Sequence, residues 1–304
     1  MAHAVPSAIA RHAMIPFLAA ALGIATFTLM DAVMKGLSLV LGAYCAMVWR
    51  VTIALGTTAL PMLREGFRWP ARDLGVIHLK RGAVNAISAI GYFFGLTRLP
   101  MAEGIALSFI APLVALYLSA AVLKESVGVR AIVASLLGFS GVVLLVASRL
   151  SGGLDNRALI GAVAILVAAS VYGYGLVLLR QQAQQSTPSE LAFFQNGATM
   201  LWLLPGAPFL VTLPPARLWP ALIAGALLAQ ISTMLLAWAY ARAEAKVLIP
   251  VEYTAFVWSA IFGALMFGEA LTGTVMAGAV LIIAGCIAAA SAKTPPPMAT
   301  EVSL

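Results

Sequence analysis

Apolar runs of about 20 residues recur along the whole chain, near 14–37, 41–62, 78–98, 101–123, 129–148, 158–179, 190–211, 218–241, 246–267 and 271–291. Each is long enough to cross a hydrocarbon layer of about 30 Å as a helix. Strand-like alternation is absent, and a segment in lipid has to satisfy its own backbone, so these runs predict helices. The gaps are short and rich in Pro, Gly and Ser; the widest, Leu63 to Ile77, holds only a surface turn. The chain is expected to be an all-α polytopic membrane protein, with any function inside the bundle.

Composition agrees. Of 304 residues, 62% are hydrophobic and 10% charged, far from the roughly 25% charged of a soluble domain. This excludes a soluble enzyme, a secreted disulfide scaffold and a disordered chain. The net charge of +7 comes without a basic face or binding motif, so nucleic acid is not an expected partner. Cys45 and Cys286 lie in apolar runs near opposite membrane faces, and His3, His12 and His78 are scattered, so neither a disulfide nor a metal site is indicated. No HExxH, GxSxG or His/carboxylate set suggests an enzyme, and no cofactor is called for. Arg11 and His12 precede a run of full spanning length that carries Asp31 and Lys35, which reads as a retained helix and not a signal peptide.

Lys and Arg set the orientation. With both termini in the cytoplasm, twelve fall on the inner side and five, Lys35, Arg98, Arg149, Arg157 and Arg217, on the outer; the excess belongs inside. The chain also repeats itself at an offset of 144, pairing Lys124-Glu125 with Gly268-Glu269 and Gly141 with Gly285. Five spans per copy is odd, so the two copies, residues 1–150 and 151–304, cross the membrane in opposite directions. Inverted repeats supply two pseudo-equivalent packings around a central cavity, a recurring architecture of secondary transporters. A carrier with a small-molecule substrate is the leading expectation, ahead of a channel; a homodimer is compatible but not required.

The order of short motifs resembles the drug/metabolite transporter superfamily, EamA type: Leu123-Lys124-Glu125 and Phe267-Gly268-Glu269, Tyr92-Phe93-Phe94-Gly95-Leu96, Ala102-Glu103-Gly104 and Ala111-Pro112-Leu113. The resemblance covers nearly the whole chain. It implies ten transmembrane helices in two inverted five-helix repeats, and export or exchange of small metabolites across a bacterial-type inner membrane. Within the family the chain is most similar to amino-acid exporters, the aromatic type included. It departs from the common pattern at Val251-Glu252-Tyr253, where small apolar residues are usual.

Few polar residues lie within the spans, and these carry the site expectations. Pro112 sits near the midplane and cannot donate to the Ser108 carbonyl, so that carbonyl and the Ser108 hydroxyl either line a substrate site or rebond within a kink. Pro250 falls in a first helical turn, where proline is tolerated; both prolines are hinge candidates. In the third span His78, Asn85, Ser88 and Tyr92 share one face. In the eighth span Gln230, Thr233 and Tyr240 form the counterpart. Each stripe faces a cavity or serves interhelical hydrogen bonding. Asp31 and Arg50 lie roughly 9 and 13 Å from the outer ends of their spans. They pair with each other, or Asp31 pairs with Lys35, or one of them meets a charged substrate group. Glu252 binds a substrate ammonium or exchanges a proton, or it pairs with Arg81 or Lys246. Glu125 and Glu269 read as carboxylates opening their own helices. Phe109, Trp238 and Tyr253, with Tyr92, stack on an aromatic substrate or contact lipid.

Overall fold

The computed structural model describes residues 8–64, 66–67, 69–123, 156–183, 185–240, 251 and 254–290, with single positions between 133 and 147. These are helical or connecting residues; no strand occurs among them. The helices are α1 Ala8–Leu41, α2 Ala43–Arg64, α3 Arg72–Leu96, α4 Met101–Ser108, α5 Ile110–Leu123, α6 Asn156–Ala183, α7 Pro188–Leu203, α8 Trp219–Tyr240, α9 Thr254–Phe267 and α10 Gly273–Ala290. Among the described residues, four stretches are long and apolar enough to cross a membrane, namely Ile15–Leu41, Ala43–Arg64, Asn156–Leu179 and Ala216–Leu236. Large apolar side chains such as Leu18, Leu22, Val163, Val167 and Leu265 stand exposed on the helices, as suits lipid contact.

Local chemistry sets the boundaries. α1 ends where Gly42 takes a left-handed φ of 80° and its N–H returns to the Ser38 carbonyl, so α2 starts after a single residue. α7 opens on a capping box in which Thr187 and Glu190 satisfy each other's backbone N–H, with Pro188 in the first turn. It ends before Pro205, which has no N–H to offer. The expected seventh span continues only as a tight turn, Leu204–Gly206, and one helical turn, Ala207–Leu210. The Tyr44 hydroxyl donates to the Leu203 carbonyl at that break. The fourth span is split. α4 stops at Ser108, Phe109 bonds back to Ala106 at 3.2 Å, and α5 starts at Ile110. The break lies where the missing N–H of Pro112 leads one to expect it, although the Pro112 side chain is outside the described residues.

Packing follows the repeat. α1 lies along α8 and α3 along α6. Exchanging the halves turns one contact into the other, so these are two views of one interface. α2 with α7, and α4 with α9, each pair with their own image. Small residues permit the close approach. A Cβ on Gly95 of α3 would fall 2.4 Å from Ile165 and 2.7 Å from the Gly161 carbonyl of α6. On the matching interface, Ser232 of α8 donates to the Gly23 carbonyl of α1 at 2.9 Å. The largest core gathers Met34, Leu37, Ala46, Leu96, Ala106, Ile165, Leu222 and Val275. All of them lie toward the face that carries the α1–α2 turn, and they fill that half of the bundle.

Candidate functional site

Polar side chains in this interior fall into three groups. The first is central. Asp31 of α1 is 3% exposed and accepts a 3.1 Å hydrogen bond from the Tyr92 hydroxyl of α3. Tyr92 and Phe109 pack on the same small cluster of Ala32, Met101 and Ile105. Arg50 of α2 donates to Met47 Sδ at 3.1 Å, and its Nε is buried without a partner. Asp31 and Arg50 attract each other across the interior, but they form no direct ion pair; this corrects the clamp drawn from sequence. The short Asp31 side chain meets the phenol that faces it, while the guanidinium stays against its own helix. One carboxylate oxygen and one guanidinium N–H are therefore left uncommitted.

The second group lies at the α1–α2 face. Lys35 does not pair with Asp31. It forms an ion pair with Glu269 of the α9–α10 turn, donates to the Leu99 carbonyl at 2.7 Å and sits 4.9 Å from the centre of the Phe267 ring. Glu269 does not open its own helix either: Thr272 accepts from Val275 N–H there, at 3.4 Å. The second Glu269 oxygen accepts from Met101 N–H at 2.6 Å. It thereby caps α4, whose own N-cap, Pro100, has no side chain able to do so. Gly268, with φ of 64°, turns the chain so that the carboxylate reaches across. Glu125 is outside the described residues.

The third group lies toward the α2–α3 face. Asn85 donates to Thr199 of α7 at 3.1 Å, so its amide joins two helices. Ser88 is buried and bonds to the Asn85 carbonyl of its own helix at 3.3 Å. His78 Nδ1 lies 2.8 Å from Gln182 Nε2, and Arg81 donates to Gln182 Oε1, also at 2.8 Å. The α3 stripe thus meets α6, α7 and α1 in turn, with Tyr92 alone directed to Asp31.

The α8 stripe divides. Gln230 is half-buried and has no hydrogen-bond partner among the described residues. Thr233 is exposed and returns to the Ala229 carbonyl at 2.8 Å. Trp238 is exposed, so it does not share Gln230's surroundings. Ser108 also bonds locally, to the Ile105 carbonyl at 2.8 Å. Glu252, Tyr253 and Pro250 are outside the described residues. Sequence reasoning missed Gln182, Thr199 and the Lys35–Glu269 contact. Only the cost of burying Lys35 signalled that it needed some partner.

Comparison with known proteins places this architecture. The EamA-like transporter family matches residues 14–147 and again 159–291. The two matches end 144 residues apart, the offset of the internal repeat. The chain belongs to this family, within the drug/metabolite transporter superfamily, and is a membrane transporter of ten helices in two inverted repeats. It is 25% identical to an uncharacterized Helicobacter pylori transporter over 192 residues, which spans 60% of this chain and 62% of that protein. It is also 25% identical to the pseudopaline exporter CntI of Pseudomonas aeruginosa, over 88% of this chain and 93% of the relative. A riboflavin transporter of Brucella anthropi is 25% identical over 71% of this chain and 76% of its own length. One crystal structure shares the fold, with a TM-score of 0.60 at 21% identity, covering 92% of this chain and 96% of the other.

Proposed function

We propose that this member of the EamA-like family exports or exchanges amino acids, aromatic ones included. The setting is a bacterial-type inner membrane with both termini in the cytoplasm. The supporting observation is the pairing of uncommitted opposite charges in the interior, the Asp31 carboxylate held by Tyr92 and the Arg50 guanidinium with its buried, unpaired Nε. An ammonium suits the free carboxylate oxygen, and a carboxylate suits the guanidinium. Gln230 supplies a further unused amide, and Phe109 beside Tyr92 an aromatic surface. Asn85 and Ser88 support this group from α3. Glu252 and Tyr253, which precede α9 in the chain, are proposed to complete the lining, and Pro112 and Pro250 are its proposed hinges; Thr233 and Trp238, exposed on α8, stay outside it. Residues 1–150 and 151–304 supply the two packings whose exchange opens one face and closes the other.

The cargo names of two relatives, pseudopaline and riboflavin, support a second reading: export of other small amphipathic metabolites through the same site. Purified protein in liposomes tests both. Saturable, exchange-stimulated flux of labelled L-phenylalanine or another amino acid is expected, with at least a tenfold loss in Asp31→Asn. Absence of flux for every amino acid overturns the amino-acid reading and leaves the second. A linear, unsaturable conductance overturns the carrier.

A further inference from the structure

A cavity of about 310 Å³ opens at the α2–α3 face, where the start of α3, the end of α6 and the start of α7 meet; Trp69, Leu74, His78, Ser186, Glu190 and Phe194 line it. It is separate from the central group around Asp31. Two of its lining residues carry buried polar atoms without a partner, His78 Nε2 and the Ser186 hydroxyl. Buried polar groups are rarely left unpaired, and two beside one cavity call for an occupant that bonds to them.

The protonation of His78 follows from its neighbours. Arg81 can only donate, so it holds Gln182 Oε1 toward itself and turns Gln182 Nε2, a donor, toward His78 Nδ1. Nδ1 therefore accepts, and the neutral ring carries its hydrogen on Nε2. The unpaired atom is a donor. Ser186 offers a second. Glu190 supplies negative charge: one of its oxygens accepts from Thr187 N–H at 3.0 Å and the other remains available. Trp69, 81% exposed, and Phe194 belong to one aromatic cluster, with ring centres 6.2 Å apart, and Phe194 also lies 5.2 Å from the His78 ring.

The fold does not require these polar groups. At the repeat offset, His78, Ser186 and Glu190 correspond to Leu222, Gly42 and Ala46. Leu222 and Ala46 are packed solid in the main core at the opposite face. One half closes this place with apolar side chains; the other keeps it open and lines it with a donor pair and a carboxylate.

We propose that this cavity binds a zwitterion. An anionic oxygen accepts from His78 Nε2–H and the Ser186 hydroxyl, an ammonium meets Glu190, and an apolar group rests against Trp69 and Phe194. A free amino acid with an apolar side chain and the headgroup of an ethanolamine phospholipid share this chemistry. The site lies on the cytoplasmic side by the orientation proposed above, but the binding itself does not depend on transport.

The test is calorimetric titration of the full chain in phosphatidylcholine nanodiscs with L-phenylalanine, phenethylamine and 3-phenylpropionate. L-phenylalanine is expected to bind saturably, at least tenfold more tightly than either singly charged analogue. The same loss is expected in His78→Leu, which copies the other half, and in Glu190→Gln, which keeps the α7 cap. Asp31→Asn removes flux and any binding at the central group, while the binding that His78→Leu weakens stays intact, which separates this site from the transport reading. If native mass spectrometry instead finds phosphatidylethanolamine retained by wild type and lost in Glu190→Gln, the lipid is the source and the zwitterion site stands. Binding of both probes that is unchanged in both variants, or binding lost only in Asp31→Asn, overturns it. So does failure of both probes to bind.

Discussion

Lys35 of α1 and Glu269 of the α9–α10 turn form an ion pair that joins the two halves of the chain, and the same carboxylate caps α4. Lys35 is buried beneath the α1–α2 face and Glu269 is half-buried beside it. Under the alternating-access reading proposed above, that face opens only if the pair breaks and the core below it parts.

Removing Lys35 leaves Glu269 without its counter-ion, partly buried but still accepting from Met101 N–H. Lys35→Met is expected to cost less than the about 3–5 kcal/mol of breaking a fully buried pair, read as a lowered thermal midpoint. Glu269→Ala should cost more than Glu269→Gln, because the glutamine still accepts from Met101 N–H. In the double variant Lys35→Met/Glu269→Gln the losses should fall well short of additive. Additive losses would show that the pair is not coupled.

Opening of that face has a native reporter. Cys45, at the start of α2, is buried. In a Cys286→Ala background, Lys35→Met should raise the labelling rate of Cys45 by an impermeant maleimide several-fold. An unchanged rate would mean that the core alone holds the face closed.

Tyr92→Phe removes the hydrogen bond to a buried carboxylate, an interaction worth about 1.5–3 kcal/mol when one partner is charged. Flux should fall and stability should drop with it. Because Asp31 and Arg50 attract each other without direct contact, the variants Asp31→Asn and Arg50→Gln are expected to show only a small coupling in thermal unfolding. A large coupling energy between them would restore the direct pair.

Asn85→Ala should cost about 0.6 kcal/mol, in line with interhelical hydrogen bonds in membranes, and Thr199→Val, which also loses the contacts to Gln195, should be less than additive with it. A changed KM for substrate at unchanged stability would instead put the Asn85 amide in the transport path.

Gly95→Ala places a methyl against Ile165 and the Gly161 carbonyl and should destabilise by about 1–3 kcal/mol, as overpacking does. Gly56→Ala in α2 meets nothing within 4 Å and should be neutral or stabilising by up to about 1 kcal/mol. Equal thermal midpoints for the two variants would contradict the close α3–α6 approach.

Much of the fold is legible in one dimension. Spans announce themselves by length and apolarity, the repeat by a constant offset, and the break in the fourth span by the N–H that Pro112 lacks. The polar partners are legible only as a need. Burial of Asp31, Lys35 and Arg50 demands compensation, but helical spacing ranks only near neighbours, and Lys35 finds its partner 234 positions away. For the same reason helical spacing points Glu269 to its own helix. A carboxylate after a glycine with positive φ is equally able to turn toward a neighbour, and sequence does not say which helix lacks a cap. The α3 stripe was visible as a polar face, whereas its division among Tyr92, Asn85 and His78 depends on what α1, α6 and α7 present to it.

The interleaving of α1 with α8 has a consequence for how the molecule is made. At ~5–20 residues per second of synthesis, the 234 positions between Lys35 and Glu269 amount to on the order of 10–50 s. For most of that interval α1 is already made, with a lysine and an aspartate, while α8 and the α9–α10 turn do not yet exist. The first helix to be inserted is thus among the last to reach its final neighbours, and a chain truncated before α8 leaves those charges as a ready signal for quality control.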